Sequence, residues 1–487
     1  MATSRASWRF GLAAVLLGAG LSSTTAENIV PGDAPASEGA FRHLRALQEI
    51  ASISGGNRAA GTSGYDRSAE YVAERLKEAG YIVHFEEFDF PFFEERSPAV
   101  LLVSSPGGRQ EPVPPTAFRT LSNSGSSKVT APLRQVNLGL TGGLPVVSAS
   151  GCKTADFEGF ERGSVALIRR GSCTFQTKVE NAQAAGAAGV VIMNEGTDGR
   201  IGAFSGQLNE LAAIPVVGVS YELGLSLDIA ARDGATARLA VSAVTGKRLT
   251  RNVVADTASK SNAALIIVGA HLDSVPDGPG INDNGSGSAA VLEAALRLAQ
   301  DLNQAGGVRF AFWGAEERGL IGSRHHVGSL SENARKHIAL YINLDMVGSP
   351  NFARFVQGSA ATGDGLAAVA RRELLADFRE DSLSVEERRP EGRFGSDAAS
   401  FAQKGIPTVG LYTGAGGSKS QIQASLFGGV AGRPFDSCYH QACDTIENIN
   451  RDVLEQNTRA LVRALKAAIS PSLNTPFQKA LDLPQPN

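Results

Sequence analysis

Between residues 264 and 414 the chain repeats one pattern: a continuous apolar run, a glycine turn bearing acidic or imidazole groups, and a stretch with helical apolar spacing. The apolar runs are ALIIVGAH (264–271), GVRFAFWGAEE (307–317), HIALYINLDMVG (337–348) and IPTVGLYTG (406–414). Strands this uniformly apolar are buried on both faces. Alternating with helices, they predict an α/β domain with a mixed, mainly parallel sheet and flanking helices. That frame limits where chemistry can sit, because ligands of open α/β sheets bind beyond the carboxyl ends of the strands. His271 and Asp273 fall at the end of the first run, Glu316 and Glu317 at the end of the second, and Asp345 at the end of the third.

The loop after the first strand, GPGINDNGSG, has the glycine spacing of a phosphate cradle. It lacks the lysine such a cradle needs after its second glycine, and it places Asp283 where a carboxylate would repel phosphate. A cation is therefore the expected ligand. One histidine among several carboxylates suits zinc or a similar first-row ion better than calcium, which prefers shells of oxygen alone. Of the remaining histidines, His43 and His84 lie in the N-terminal segment, and His337 precedes a strand. His325 and His326 are expected to face solvent or a neighbouring helix. That leaves His440, in CYHQACD, where a short disulfide loop between Cys438 and Cys443 would fix its backbone. His271, Asp283, Glu317, Asp345 and His440 are too many ligands for one open tetrahedral zinc and suit two ions sharing a carboxylate. Two divalent ions against three carboxylates leave one positive charge, which favours ionisation of a water at the site. Glu316 and Glu317 can divide the work if their side chains alternate at the strand end, one towards metal and one towards substrate.

Elsewhere the chain has a different texture. Residues 40–95 read as two helices and a strand, the second helix capped at Thr62/Ser63 and ending at Gly80, whereas 96–135 are weakly patterned and suggest a boundary. Short β-branched runs bounded by glycine fill 130–245. Arg5 and Arg9 before the apolar Phe10–Leu21 run, followed by small residues at Thr24–Ala26, predict a cleaved signal peptide and an exported protein. Nothing reaches the length of a membrane span. In an exported chain, the four cysteines form two local pairs, Cys152–Cys173 and Cys438–Cys443, and are expected as disulfides. A net charge of −3, from 46 basic and 49 acidic residues, gives no basic excess for nucleic acid.

Two resemblances follow from these residues. Cys152, GSVALIRRGSCTF and KVENAQAAGAAGVVIMNE resemble the protease-associated (PA) domain, a small β-rich insert of exported peptidases. AHLDS…GINDNGSGSA, WGAEE.GL.GS, NLDMVGSP, GSDAASF…GIP and CYHQACDT, together with GNRAAGTSGY near the N-terminus, resemble the exported di-zinc aminopeptidases of the M28 family, in particular the bacterial leucine aminopeptidase branch. The resemblance implies the zinc-exopeptidase fold and two Zn2+ per chain. Asp283 would bridge the ions, with His271 and Asp345 on one and Glu317 and His440 on the other. Glu316 would be the general base and Tyr439 a donor to the oxyanion. Asp273 would orient the His271 imidazole with its carboxylate. In relatives the SDxxxF motif often has an arginine before it or a histidine directly after. Here Gly395 precedes Ser396–Asp397, Ala398 follows, and Arg393 lies two residues before Gly395, which puts any substrate contact by that arginine in doubt.

The expected layout is a signal peptide (1–26), an N-terminal part of the peptidase domain (27–128), the PA insert (129–246), the main peptidase domain with the di-zinc site (247–470) and a tail (471–487). The implied substrate is the N-terminus of a peptide or protein, with leucine or another bulky apolar residue first, and the implied state a secreted monomer. Two other readings stay open: a different hydrolase or a glutaminyl cyclase on the same frame, and a non-catalytic PA-domain binding protein.

Overall fold

The computed structural model describes residues 36–469 except 109–110, 141–147, 198–199, 259–263, 306, 359–364 and 389–394. The signal peptide, the tail and Arg393 lie outside the described residues. The repeated apolar runs form strands Leu265–His271, Val308–Trp313, Ile338–Leu344 and Thr408–Tyr412, all mutually parallel where they pair. Antiparallel strands flank this centre, Phe355–Gly358 beside Thr408–Tyr412 and Thr236–Asp256 beside Val308–Trp313. The sheet is thus mixed and mainly parallel at its centre, as the continuous apolar runs require.

Helices cover both faces. Helix Ser63–Glu78 starts at Thr62, whose hydroxyl accepts the N–H of Tyr65, and it carries Asp66 in its first turn and Arg75 and Lys77 in its last. Each end thereby meets the helix dipole with the opposite charge. Helix Arg451–Ala468 is capped by Asn450 and buries Val453, Leu454, Asn457, Leu461 and Leu465 at helical spacing. With helices Ala36–Ser52 and Gly287–Arg297, these two enclose one large apolar core. The opposite face packs Trp313, Val327, Tyr341 and Phe401.

Residues 96–104, expected as a boundary, instead extend a strand that runs from Ile82 to Ser104. It pairs antiparallel with Thr236–Asp256 from Ile82↔Asp256 to Ser104↔Thr236. The register shifts twice between Glu95 and Val100, at the stretch that contains Pro98, which has no N–H to give the ladder. The expected junction at 246/247 falls inside strand Thr236–Asp256, which is continuous across it. Beyond these two long strands the sheet continues, through Lys128–Gln135 paired with Thr236–Asp256, into Val165–Arg169, Gly189–Met193, Val216–Val219 and Phe118–Thr120. That part of the sheet has its own apolar clusters, around Leu167 and Val191 and around Ile168 and Ile192. Both expected disulfides are present, with Cα–Cα distances of 5.8 Å for Cys152–Cys173 and 5.2 Å for Cys438–Cys443.

Candidate active site

The carboxyl ends of the parallel strands deliver their polar residues to one cavity of about 430 Å³. His271, Asp283, Glu316, Glu317, Asp345, Tyr439 and His440 all line it. His271 is the last residue of its strand and is almost fully buried. Its Nε2 lies 3.3 Å from Asp283 Oδ1 and 3.5 Å from Asp345 Oδ1. His440 Nε2 lies 3.1 Å from the other Asp283 oxygen, Oδ2, and 3.2 Å from Glu317 Oε2. Asp283 therefore stands between two imidazoles and gives one oxygen to each.

The loop that holds Asp283 is braced from several sides. The Asp444 carboxylate accepts the N–H groups of Asn282 and Asp283 at 2.8 and 2.9 Å. Asn284 donates to the carbonyl of Leu344 and accepts from the N–H groups of Gly287 and Met346, which ties the loop to the strand end bearing Asp345. Gly280 has φ +61°, and a Cβ there would meet the Asp283 carbonyl at 2.3 Å, so the turn needs glycine. Arg58, from the N-terminal GNRAAGTSGY segment, is fully buried and donates to the carbonyls of Leu272, Pro279 and Gly280.

Glu316 and Glu317 do not alternate on a strand. The strand stops at Trp313, and Ala315 turns the chain with φ +55°. The Asp273 carboxylate places both acids, accepting the N–H of Glu316 at 3.0 Å and of Glu317 at 3.3 Å. His271 Nδ1 is 3.1 Å from the main-chain oxygen of Asp273 and 3.8 Å from its Oδ1. The hydrogen-bonding contact that orients this imidazole is thus made by the main chain of Asp273, because its carboxylate is engaged by the two amides.

Three donor sets fall within 4.8 Å: His271, Asp283 and Asp345; Asp283, Glu317 and His440; and His271, Glu316 and Glu317. Glu317 Oε1 and Asp345 Oδ1 are buried and have no hydrogen-bond partner among the described residues. Burial pushes the Glu317 carboxyl up to about 7, with the Asp283 charge adding to it. Burial also drives Glu316 well above the usual carboxylate range, and its neighbours Glu317, Asp397 and Asp345 reinforce this against His271. Burial alone would lower His440, but Asp283 and Glu317 outweigh it and raise the imidazole to about 10. Such crowding of acids and imidazoles, with buried oxygens that accept no hydrogen bond among the described residues, is the donor chemistry that a first-row divalent cation satisfies.

A model of peptidase family M28 matches residues 252–465, and a PA domain model matches residues 130–227. An aminopeptidase of Pseudomonas aeruginosa is 43% identical over 436 residues, covering 86% of this chain and 78% of its own. A probable leucine aminopeptidase 2 of Aspergillus fumigatus is 35% identical, covering 84% of this chain and 78% of its own. The chain belongs to peptidase family M28. It is an aminopeptidase of that family with a PA domain, which removes the reading as a non-catalytic binding protein. Among solved structures, an aminopeptidase from Aneurinibacillus sp. strain AM-1 superposes with a TM-score of 0.69 at 26% identity, covering 89% of this chain and 93% of that one. A zinc aminopeptidase from Bacillus subtilis gives 0.60 at 26%, covering 89% and 94%.

Several further residues, to which the sequence assigns no role, line the aminopeptidase cavity. Met346, Leu411, Tyr412 and Leu320 supply apolar wall, and Asn343, Gln357 and Gln207 supply amides. Trp313 Nε1 donates to the Tyr341 hydroxyl, which donates to Asn343 Oδ1, and Asn343 Nδ2 donates to Ser396 Oγ. This chain of hydrogen bonds fixes one wall through the buried face of the sheet. Gly395 and Ser396 line the cavity, whereas Asp397 is fully buried outside the lining, and burial pushes its carboxyl up to about 7. Of its two expected settings His326 takes the neighbouring helix: it is fully buried, with Nδ1 2.9 Å from Glu86 and its ring against Trp313 and against Phe401 of helix Ala398–Ala402. His325 stacks on Phe88 at 5.1 Å.

Proposed function

We propose that the protein is an exported, zinc-dependent aminopeptidase that removes N-terminal leucine or another bulky apolar residue from peptides. The observation that carries this reading is the placement of Asp283 between His271 and His440, 3.3 and 3.1 Å away through different oxygens. His271, Asp283 and Asp345 would hold one Zn2+, and Asp283, Glu317 and His440 a second. Zinc there supplies a polarised scissile carbonyl and a water acidic enough to attack near neutral pH.

The chain's own groups do the rest. Glu316, which no ligand assignment requires, is the proton carrier, taking a proton from the attacking water and returning it to the departing amine. Burial raises its proton affinity, which suits a group that takes a proton up and passes it on. Tyr439 stacks on His440 at 3.8 Å between ring centres, and burial raises its hydroxyl far above neutral pH. It therefore stays a donor, available to the developing oxyanion. The acidic rim attracts the substrate α-ammonium, and Met346, Leu411 and Leu320 offer an apolar side chain a dry wall. The relatives named leucine aminopeptidase support that preference. Export is supported by the Arg5–Leu21 segment and by the two disulfides. Among the described residues no helix is long and apolar enough to cross a membrane.

A panel of aminoacyl chromogenic substrates, run with and without a chelator, tests class, metal and preference together. Zinc counted per chain in wild type and in Glu316→Gln completes it. The expected result is two zinc ions in both proteins, with hydrolysis lost only in the variant. Full activity in Glu316→Gln would exclude the proton-carrier role.

A further inference from the structure

Among the described residues of the PA span, Gln207 alone lines the catalytic cavity. Its position is tightly set. Gly206 and Leu208 on either side exchange main-chain hydrogen bonds with Ser122, at 2.8 and 3.1 Å. Asn123 Nδ2 donates to the Leu208 carbonyl at 2.6 Å. Gly206 lies so close beneath Phe175 that a Cβ there would stand 2.6 Å from the ring, and Phe175 in turn stacks on Phe204 at 5.4 Å. A loop held this way carries its side chain as a rigid element.

Gln207 Nε2 is buried and lacks a hydrogen-bond partner among the described residues. A buried amide N–H without an acceptor costs free energy, so its retention calls for a partner that arrives from outside. The amide lies over the turn that follows the two acids, with Nε2 3.5 Å from the Cβ position of Gly319. That turn begins at Glu316, the group proposed to hand a proton to the leaving amine. A peptide whose leaving amine takes its proton from Glu316 would continue along this turn, under Gln207.

We propose that Gln207 is a substrate-contacting residue that donates a hydrogen bond from Nε2 to the first main-chain carbonyl oxygen beyond the scissile bond. The PA domain thereby makes the cavity selective for peptides over single-residue amides. This rests on Glu316 being the proton carrier of an aminopeptidase.

The test compares leucyl-4-nitroanilide, which has no main-chain carbonyl beyond the bond cleaved, with Leu-Gly-Gly. Gln207→Met keeps the side-chain length and removes the donor. It should lower kcat/KM for Leu-Gly-Gly about tenfold, chiefly through KM, and change the anilide by less than about twofold. Gln207→Ala should give the same split, so the result does not depend on how methionine packs. Equal losses on both substrates, or an unchanged rate on Leu-Gly-Gly, would overturn the proposal. If the wild type hydrolyses neither compound, the proposed leucine preference fails, which is a distinguishable outcome.

Discussion

Asp273 holds Glu316 by its main chain: the aspartate Oδ1 accepts the Glu316 N–H at 3.0 Å, while its other oxygen accepts the N–H of Glu317. Both acids thus depend on one fully buried carboxylate that touches no substrate. Asp273→Asn keeps the shape but points an NH2 at one of the two N–H groups it must satisfy. The peptidase rate should fall about 10- to 100-fold, as for other residues that orient a metal site. Steady-state kinetics beside a thermal melt separates this from unfolding. A variant with normal kcat would show that the acids are placed without Asp273.

Metal removal should act on stability as well as on rate. Asp283, Glu317, Asp345, His271 and His440 are drawn together with contacts of 3.1–3.5 Å, and two of the carboxylate oxygens have no other partner. An ion that binds only the folded state adds about 2.7 kcal/mol at a free concentration one hundred times its Kd. Chelation should therefore abolish hydrolysis and lower the melting temperature, and added Zn2+ should restore both. Retention of activity after exhaustive chelation would contradict the metal assignment.

Much of this site was readable because strand periodicity is local. A run such as ALIIVGAH declares a buried strand, and the residue that ends it must reach the sheet edge, which placed His271 and Asp345 without tertiary information. Glu316 and Glu317 were found for a partly mistaken reason, since a positive φ at Ala315 and the Asp273 carboxylate place them, not the strand pleat. For His326 the sequence leaves solvent and a neighbouring helix both open, because the short helix around it has little apolar patterning. Its partner Glu86 is 240 residues away, on a strand whose alternation says nothing about that helix. Gln207 and Arg58 were not assignable for the same reason: each acts through contacts far along the chain. Pro98 made 96–104 look like a break, where a register shift in a long ladder absorbs it.

Arg58 is expected to be the most sensitive position outside the cavity. Its guanidinium is fully buried and serves three carbonyls of the 272–280 loop. Burial lowers its pKa to about 10, partly offset by Asp273, Asp444 and Asp283, so it remains charged at neutral pH. Arg58→Met strands three buried acceptors and removes the positive charge beneath the acids, at a cost on the order of 3 kcal/mol or more. Arg58→Lys keeps the charge but loses the planar fork and should fall between. Urea unfolding of the three proteins checks the order. A methionine variant as stable as wild type would remove Arg58 from the account of how the Asp283 loop is held.

The contact between Glu86 and His326 predicts the acid limit of stability. Burial alone would raise the Glu86 carboxyl, but hydrogen bonds from His326, at 2.9 Å, and from Asn252, with the His84 imidazole 3.7 Å away, outweigh it and hold the group below its usual range. A carboxylate whose folded pKa lies below its unfolded value of about 4.3 adds stability that is complete above that value and is lost as pH falls through the folded pKa. Glu86→Gln should therefore be less stable than wild type at pH 6. The gap between them should narrow as the pH is lowered from about 5 towards 3, as the unfolded wild-type chain takes up its proton, and go on narrowing below that until the folded chain is protonated too. Denaturant titrations of both proteins across that range give the difference directly. A gap that stays constant with pH would mean that Glu86 contributes through packing and not through its charge.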